Sequence, residues 1–172
     1  MFTHKNLDRV LRAYSKLIKI KHINHQLIIC GMRGWGYPTF ARTVEELNLQ
    51  DRVIFKGYVP DDELRLMYSN ASFFIFPSLC EGFGLPILEA MSYGVPVITS
   101  NYGAMAEVAG DAALLVDPYS VDEIAEAMHR VLTDETLRVA LIRKGLKRAS
   151  QFSWEKTARE TLAVYKGVHK RK

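Results

Sequence analysis

Five short apolar runs, separated for the most part by segments of helical period, restrict this chain to very few architectures. The runs are residues 26–31, 53–57, 73–76, 96–100 and 113–116. None alternates polar with apolar, so each reads as a strand buried on both faces, as in a parallel sheet. Leu7, Val10, Leu11, Tyr14, Leu17 and Ile18 recur at helical spacing. Further helices are predicted at 39–47, 60–70, 85–93, 121–132, 136–149 and 154–166. Strands alternating with helices predict an α/β fold, a Rossmann-like three-layer sandwich around a parallel sheet of about five strands. The 172 residues show no linker, repeat or low-complexity stretch and read as a single domain, 1–172. A doubly wound fold opens on its central strand, which carries the first phosphate-facing loop. This chain opens on a helix, so its order reads as starting one strand late.

Apolar residues make up 48% and charged residues 24%, the balance of a globular protein, with no run long enough for a spanning helix. The net charge of +4 favours an anionic ligand or surface without indicating nucleic acid. Part of the excess lies at Arg143, Lys144, Lys147 and Arg148, where a solvated helix face is the ordinary reading and a peripheral membrane contact the functional one. The tail Lys170, Arg171 and Lys172 reads as frayed. Cys30 and Cys80 lie fifty positions apart and read as small buried hydrophobes of a reduced, cytoplasmic protein.

The chemistry concentrates after the third run. Residues 81–89 read Glu-Gly-Phe-Gly-Leu-Pro-Ile-Leu-Glu. Gly82 and Gly84 let the backbone bend and let a ligand approach closely. Pro86 suits the start of a helix, where its missing N–H costs nothing. The N–H groups near Gly84, Leu85, Ile87 and Leu88 are then expected to lack partners, which suits a phosphate. The two glutamates would repel that phosphate, so they read instead as acceptors for vicinal hydroxyls of a sugar or ribose. Glu89 lies about a turn inside the helix, in reach of a ribose diol. Glu81 precedes the glycines and faces the far end of the ligand. Taken alone, Glu89 fits an ordinary helix charge and a ligand contact equally; the whole nonapeptide behind an apolar strand favours the ligand.

Competing constellations are weaker. Asp61-Asp62-Glu63 reads as helix capping after Pro60 rather than a metal site. Gly31, Gly34 and Gly36 do not fit Gly-x-Gly-x-x-Gly, which weakens a dehydrogenase reading. His22 and His25 lack further ligands nearby. Trp35 fits base stacking or packing equally, and Trp154 is expected in the core beneath the last helix.

The segment Pro77-Ser78 through Glu89, continuing to Gly94-Val95-Pro96-Val97-Ile98, resembles glycosyltransferase family 4. So do His4-Lys5-Asn6-Leu7, Gly57-Tyr58-Val59-Pro60, Glu107-Val108-Ala109-Gly110-Asp111-Ala112-Ala113 and Phe152-Ser153-Trp154. These are retaining, metal-independent enzymes of the GT-B fold. The resemblance implies the C-terminal half of such a fold, binding a nucleotide diphosphate sugar. The acceptor, a glycan or lipid-linked molecule as in polysaccharide biosynthesis, would be met by an N-terminal domain that this sequence lacks. By the same resemblance Glu81 contacts donor-sugar hydroxyls and Lys5 the diphosphate, the two catalytic candidates. The backbone of Gly82, Phe83, Gly84 and Leu85 holds sugar and diphosphate, and Glu89 takes the ribose. Val59 meets the base, and Gly31 and Arg33 line the nucleotide side. No cofactor and no metal are implied, and mannose from GDP-mannose is the donor expected. The alternatives are a non-catalytic nucleotide-sugar-binding module or half of a sugar-nucleotide epimerase.

Overall fold

The computed structural model of the chain describes residues 3–21 and 23–169. His22 and the terminal residues Met1, Phe2, Lys170, Arg171 and Lys172 lie outside them. A single 3-10 turn, Thr3–Lys5, leads into α1 (Leu7–Lys21). Then follow β1 (Leu27–Cys30), α2 (Tyr37–Glu46), β2 (Val53–Gly57), α3 (Asp61–Asn70) and β3 (Phe74–Phe76). The second half runs α4 (Leu85–Ser92), β4 (Val97–Ser100), α5 (Gly103–Ala109), β5 (Leu114–Val116), α6 (Val121–Thr133), α7 (Glu135–Ala149) and α8 (Trp154–His169).

All the strand pairs are parallel, as the uninterrupted apolar runs predict. They form two ladders rather than one: β1 with β2, and β3–β4–β5. β1 and β3 each keep one edge without a strand partner among the described residues. β4 is the best-protected strand, with all four residues buried. Its side chains alternate across the sheet, as the two-residue period of a strand requires. Ile98 joins a core with Val10, Leu11, Tyr14 and Leu17 of α1 and with Ile124, Met128 and Val131 of α6. Val97 joins a second core with Ile87, Ala90 and Met91 of α4 and Met105 and Val108 of α5. β3 repeats the pattern, with Ile75 facing the first core and Phe74 and Phe76 the second. Two cores on opposite faces of one sheet make the three-layer sandwich.

Four expectations need correction. α5 has no counterpart in the periodicity, because seven residues opening on Gly103 at φ 64° are too short to display one. Trp154 is 76% exposed, and no residue of α8 is buried. Both faces of the sheet are already covered by other helices, so α8 finds no sheet surface to occupy. Cys30 and Cys80 are exposed free thiols rather than buried hydrophobes, since Cys30 ends β1 and Cys80 lies in the loop between β3 and α4. Lastly, Asp61, Asp62 and Glu63 do fill the first turn of α3, but no side chain caps it. Glu63 instead pairs with Lys56 at 3.0 Å.

Candidate functional site

In parallel α/β sheets the loops beyond the carboxyl ends of the strands collect the ligand. Here those ends are tied together by the first residues of the chain. Asn6 is 3% exposed and held at φ 60°, a left-handed conformation that asparagine tolerates. Its Nδ2 donates to the carbonyl of Pro77, just past β3, at 3.0 Å, and to that of Pro118, just past β5, at 2.6 Å. Two residues earlier, the carbonyl of His4 accepts from the backbone N–H of Leu79 at 2.7 Å. The 3-10 turn is thereby pinned against the loop that precedes α4.

That pinning delivers Lys5 to Glu81. The Lys5 Nζ lies 2.7 Å from Glu81 Oε1 and 4.8 Å from the centre of the Phe76 ring. The Glu81 side chain is only 15% exposed, and His4 Nε2 stands 3.9 Å from the same oxygen. The two catalytic candidates, 76 positions apart in sequence, are therefore in direct contact. The sequence reading assigned them to different parts of a ligand; the fold makes them partners.

After Glu81 the chain turns into α4. Gly84 occupies the N-cap position at φ 109°, and no side chain caps the helix. Pro86 sits in the first turn. The left-handed φ calls for glycine, and a Cβ there would also crowd the Ile87 side chain at 3.2 Å. Gly82 differs. Its φ is not in the left-handed region and a Cβ would meet nothing within 4 Å. The protein itself does not need glycine at 82, so the expected backbone bend belongs to Gly84 alone. The Ile87 N–H, expected to be unpaired, donates to the Gly84 carbonyl at 3.0 Å. Phe83 and Leu85 are both substantially exposed beside this helix start. Phe83 meets Phe152 edge-on at 6.0 Å between ring centres, and Phe152 in turn underlies the Arg148 guanidinium at 4.9 Å.

Glu89 is exposed on α4. Its Oε2 accepts from the Tyr68 hydroxyl of α3 at 3.2 Å. Burial, followed by the charge of Glu89, pushes the Tyr68 phenol well above its ordinary range. Neither Asn6 nor Tyr68 was singled out by sequence. Asn6 stood only inside a motif, and Tyr68 looked like one more apolar position of a helix.

A second concavity lies at the ends of β1 and β2. It encloses about 360 Å³ and is lined by Met32, Arg33, Phe55, Lys56, Gly57 and Tyr58. Gly31 adopts φ 134° and its N–H donates to the Gly57 carbonyl at 2.7 Å, joining the two strand ends. The Arg33 guanidinium stacks over Tyr37 at 4.5 Å. Val59 is buried beside the cavity lining rather than in it, and Trp35 is 96% exposed, without a packing role. The donor-binding candidates thus fall into two groups: Lys5, Glu81, residues 82–85 and Glu89 around α4, and Gly31 and Arg33 around the cavity. Among the described residues no cluster of three or more His, Cys, Asp or Glu could hold a metal ion.

Of Arg143, Lys144, Lys147 and Arg148 on α7, Arg148 donates to the carbonyls of Val108 and Glu107 and Lys144 pairs with Asp111 at 2.9 Å. Two of those cations therefore serve the fold. No helix among the described residues is long and apolar enough to cross a membrane.

A family model described as glycosyl transferases group 1 matches residues 1–148. The chain is 42% identical over 166 residues to the O-antigen chain mannosyltransferase B of Escherichia coli, covering 96% of this chain and 44% of that protein. It is 37% identical over 165 residues to the MMP alpha-(1->4)-mannosyltransferase of Mycolicibacterium hassiacum, covering 94% of this chain and 39% of that one. Among solved structures, a sucrose-phosphate synthase from Thermosynechococcus elongatus superposes with a TM-score of 0.86 at 29% identity, covering 99% of this chain and 44% of the other. The chain spans under half the length of these relatives.

Proposed function

The chain belongs to the group 1 glycosyl transferases, and we propose that it is the donor-binding half of a retaining enzyme that transfers mannose from a nucleotide diphosphate sugar. The observation that carries this reading is the Lys5–Glu81 pair at 2.7 Å, set beside a helix start capped by Gly84. The mannosyltransferase relatives support the sugar, and GDP-mannose is the donor we favour.

In this reading the diphosphate lies against the first turn of α4, whose outermost N–H groups and dipole favour an anion. Lys5 supplies the cation, shared between the Glu81 carboxylate it pairs with and the diphosphate. As the bond to the anomeric carbon breaks, negative charge grows on the departing diphosphate, and the helix start and Lys5 would offset it there. The open space above Gly82 admits the sugar and pyrophosphate close to the backbone. Glu81 accepts from sugar hydroxyls while Lys5 offsets its charge, so that a carboxylate can sit near phosphates without driving them off. Glu89 accepts from the ribose diol. The cavity at Arg33 and Tyr58 takes the base end, with Val59 behind it. Catalysis also needs an acceptor-binding surface, which we assign to an N-terminal domain beyond this chain.

Calorimetry with GDP, UDP and ADP tests the reading. Wild type should bind a nucleoside diphosphate, and Glu89→Ala should weaken it roughly tenfold or more, as for loss of hydrogen bonds to a charged acceptor. Equal affinity in the variant would remove Glu89 from the ribose.

A further inference from the structure

Tyr68 stands apart from the rest of the aromatic core because its one polar atom points at an exposed glutamate. Its ring lies 5.6 Å from Tyr93 at 10° and 5.6 Å from Phe74 at 72°, a stack on one side and an edge contact on the other. The residue is 8% exposed, so its ring is fixed by packing. The hydroxyl reaches outward to Glu89 Oε2 at 3.2 Å. A phenylalanine would satisfy both ring contacts. The hydroxyl is explained only by its bond to Glu89.

We propose that Tyr68 is a positioning residue, which holds the Glu89 carboxylate in the orientation that accepts both hydroxyls of a ribose and so sets preference for ribonucleotide over 2′-deoxyribonucleotide donors. The inference rests on the assignment of Glu89 to the ribose. An exposed glutamate on a helix samples several rotamers and loses that freedom when it binds. A rigid donor from α3 to one oxygen removes most of the freedom beforehand. A carboxylate offers about four lone-pair sites, and the phenol takes one of them. Oε1 and the remaining site on Oε2 stay available to a diol. One oxygen set per hydroxyl is what makes the site sensitive to a missing 2′-OH. A freely rotating carboxylate would instead reorient toward the single hydroxyl left and discriminate less. The phenol stays protonated well past neutral pH, because burial and the Glu89 charge both oppose its ionisation. It is therefore a constant donor.

The test is calorimetric titration of wild type, Tyr68→Phe and Glu89→Ala with GDP, UDP and ADP, each beside its 2′-deoxy counterpart. In Tyr68→Phe we expect the ribo-to-deoxy affinity ratio to fall about three- to fivefold, within the range for immobilising one side chain on binding, with affinity for the deoxy ligand nearly unchanged. A purely structural loss would lower both affinities alike and leave the ratio intact; that result overturns the proposal. Glu89→Ala separates the two layers. If it abolishes the ratio while Tyr68→Phe keeps it, the ribose assignment stands and Tyr68 is only packing. If Glu89→Ala keeps the ratio, or wild type binds none of the three nucleotides, the ribose assignment fails and the proposal falls with it. The thermal unfolding midpoint of Tyr68→Phe, expected close to wild type, guards against misfolding as the cause.

Discussion

Asn6→Ala is the substitution that asks most of this structure. Asn6 is buried, and its amide is the donor for two carbonyls, at Pro77 and Pro118. Alanine removes both bonds, and with them the one that Asn6 Oδ1 accepts from Arg9 at 2.9 Å. Each is worth about 1 kcal/mol net, and leaving two buried carbonyls without a donor pushes the loss upward from there. Alanine must also adopt the left-handed φ of 60° that asparagine tolerates, at about 1 kcal/mol. The expected loss is about 3 kcal/mol, a large fraction of a typical domain's stability. Urea unfolding followed by circular dichroism measures it as a fall in midpoint at constant slope. Asn6→Asp sharpens the reasoning. A carboxylate tolerates the same backbone and keeps the Arg9 Nη1 donor, which lies 2.9 Å from Oδ1, but it presents an acceptor to the two carbonyls where the amide presented N–H groups. It should therefore fall below wild type at neutral pH. A loss under about 1 kcal/mol for alanine, or an aspartate variant as stable as wild type, would refute the tether.

The two glycines of the 81–89 loop should respond in opposite ways. Gly84→Ala is strained at φ 109° and meets Ile87, so its thermal midpoint should drop by several degrees, whereas Gly82→Ala should leave the midpoint unchanged yet weaken nucleotide-sugar binding; a stable Gly84→Ala contradicts the capping geometry. Burial raises the phenol pKa of both Tyr14 and Tyr68 in the folded state. A raised folded pKa stabilises fully below the unfolded value of about 10 and loses that contribution as pH climbs toward the folded value, so the unfolding midpoint should decline above pH about 10, less steeply in Tyr68→Phe.

Much of the layered fold was legible because buried parallel strands write themselves as apolar runs. Val97-Ile98-Thr99-Ser100 needs no periodicity to be recognised, and α1 and α6 show theirs plainly. Their positions in the sandwich follow from strand–helix alternation. What stayed hidden was whatever depends on a distant partner. Lys5 and Glu81 were both singled out, but nothing local tells a lysine that its carboxylate lies 76 residues away. Asn6 carries no hydrophobic signal, and its role appears only once β3 and β5 are side by side. Tyr68 fits an amphipathic helix so well that its hydroxyl went unread. Trp154 misled for the opposite reason: size and aromaticity argue for burial, yet burial requires a free surface, and the sheet had none left.

The Asn6 tether also fixes when the site can exist. Its second bond joins residues separated by 112 positions, so closing it carries the entropic cost of a long loop. The glutamate helix α4 can form around its own glycine cap as soon as its local segment is present. The cation cannot be held in register until β5 has been laid down and Pro118 offers its carbonyl. Ligand competence in this domain is therefore a late event on the folding path, reached only after non-local contacts close, which is the slow regime for parallel α/β topologies. Recovery of nucleotide binding during refolding should lag the return of helical signal, which makes binding a report on completed topology rather than on secondary structure.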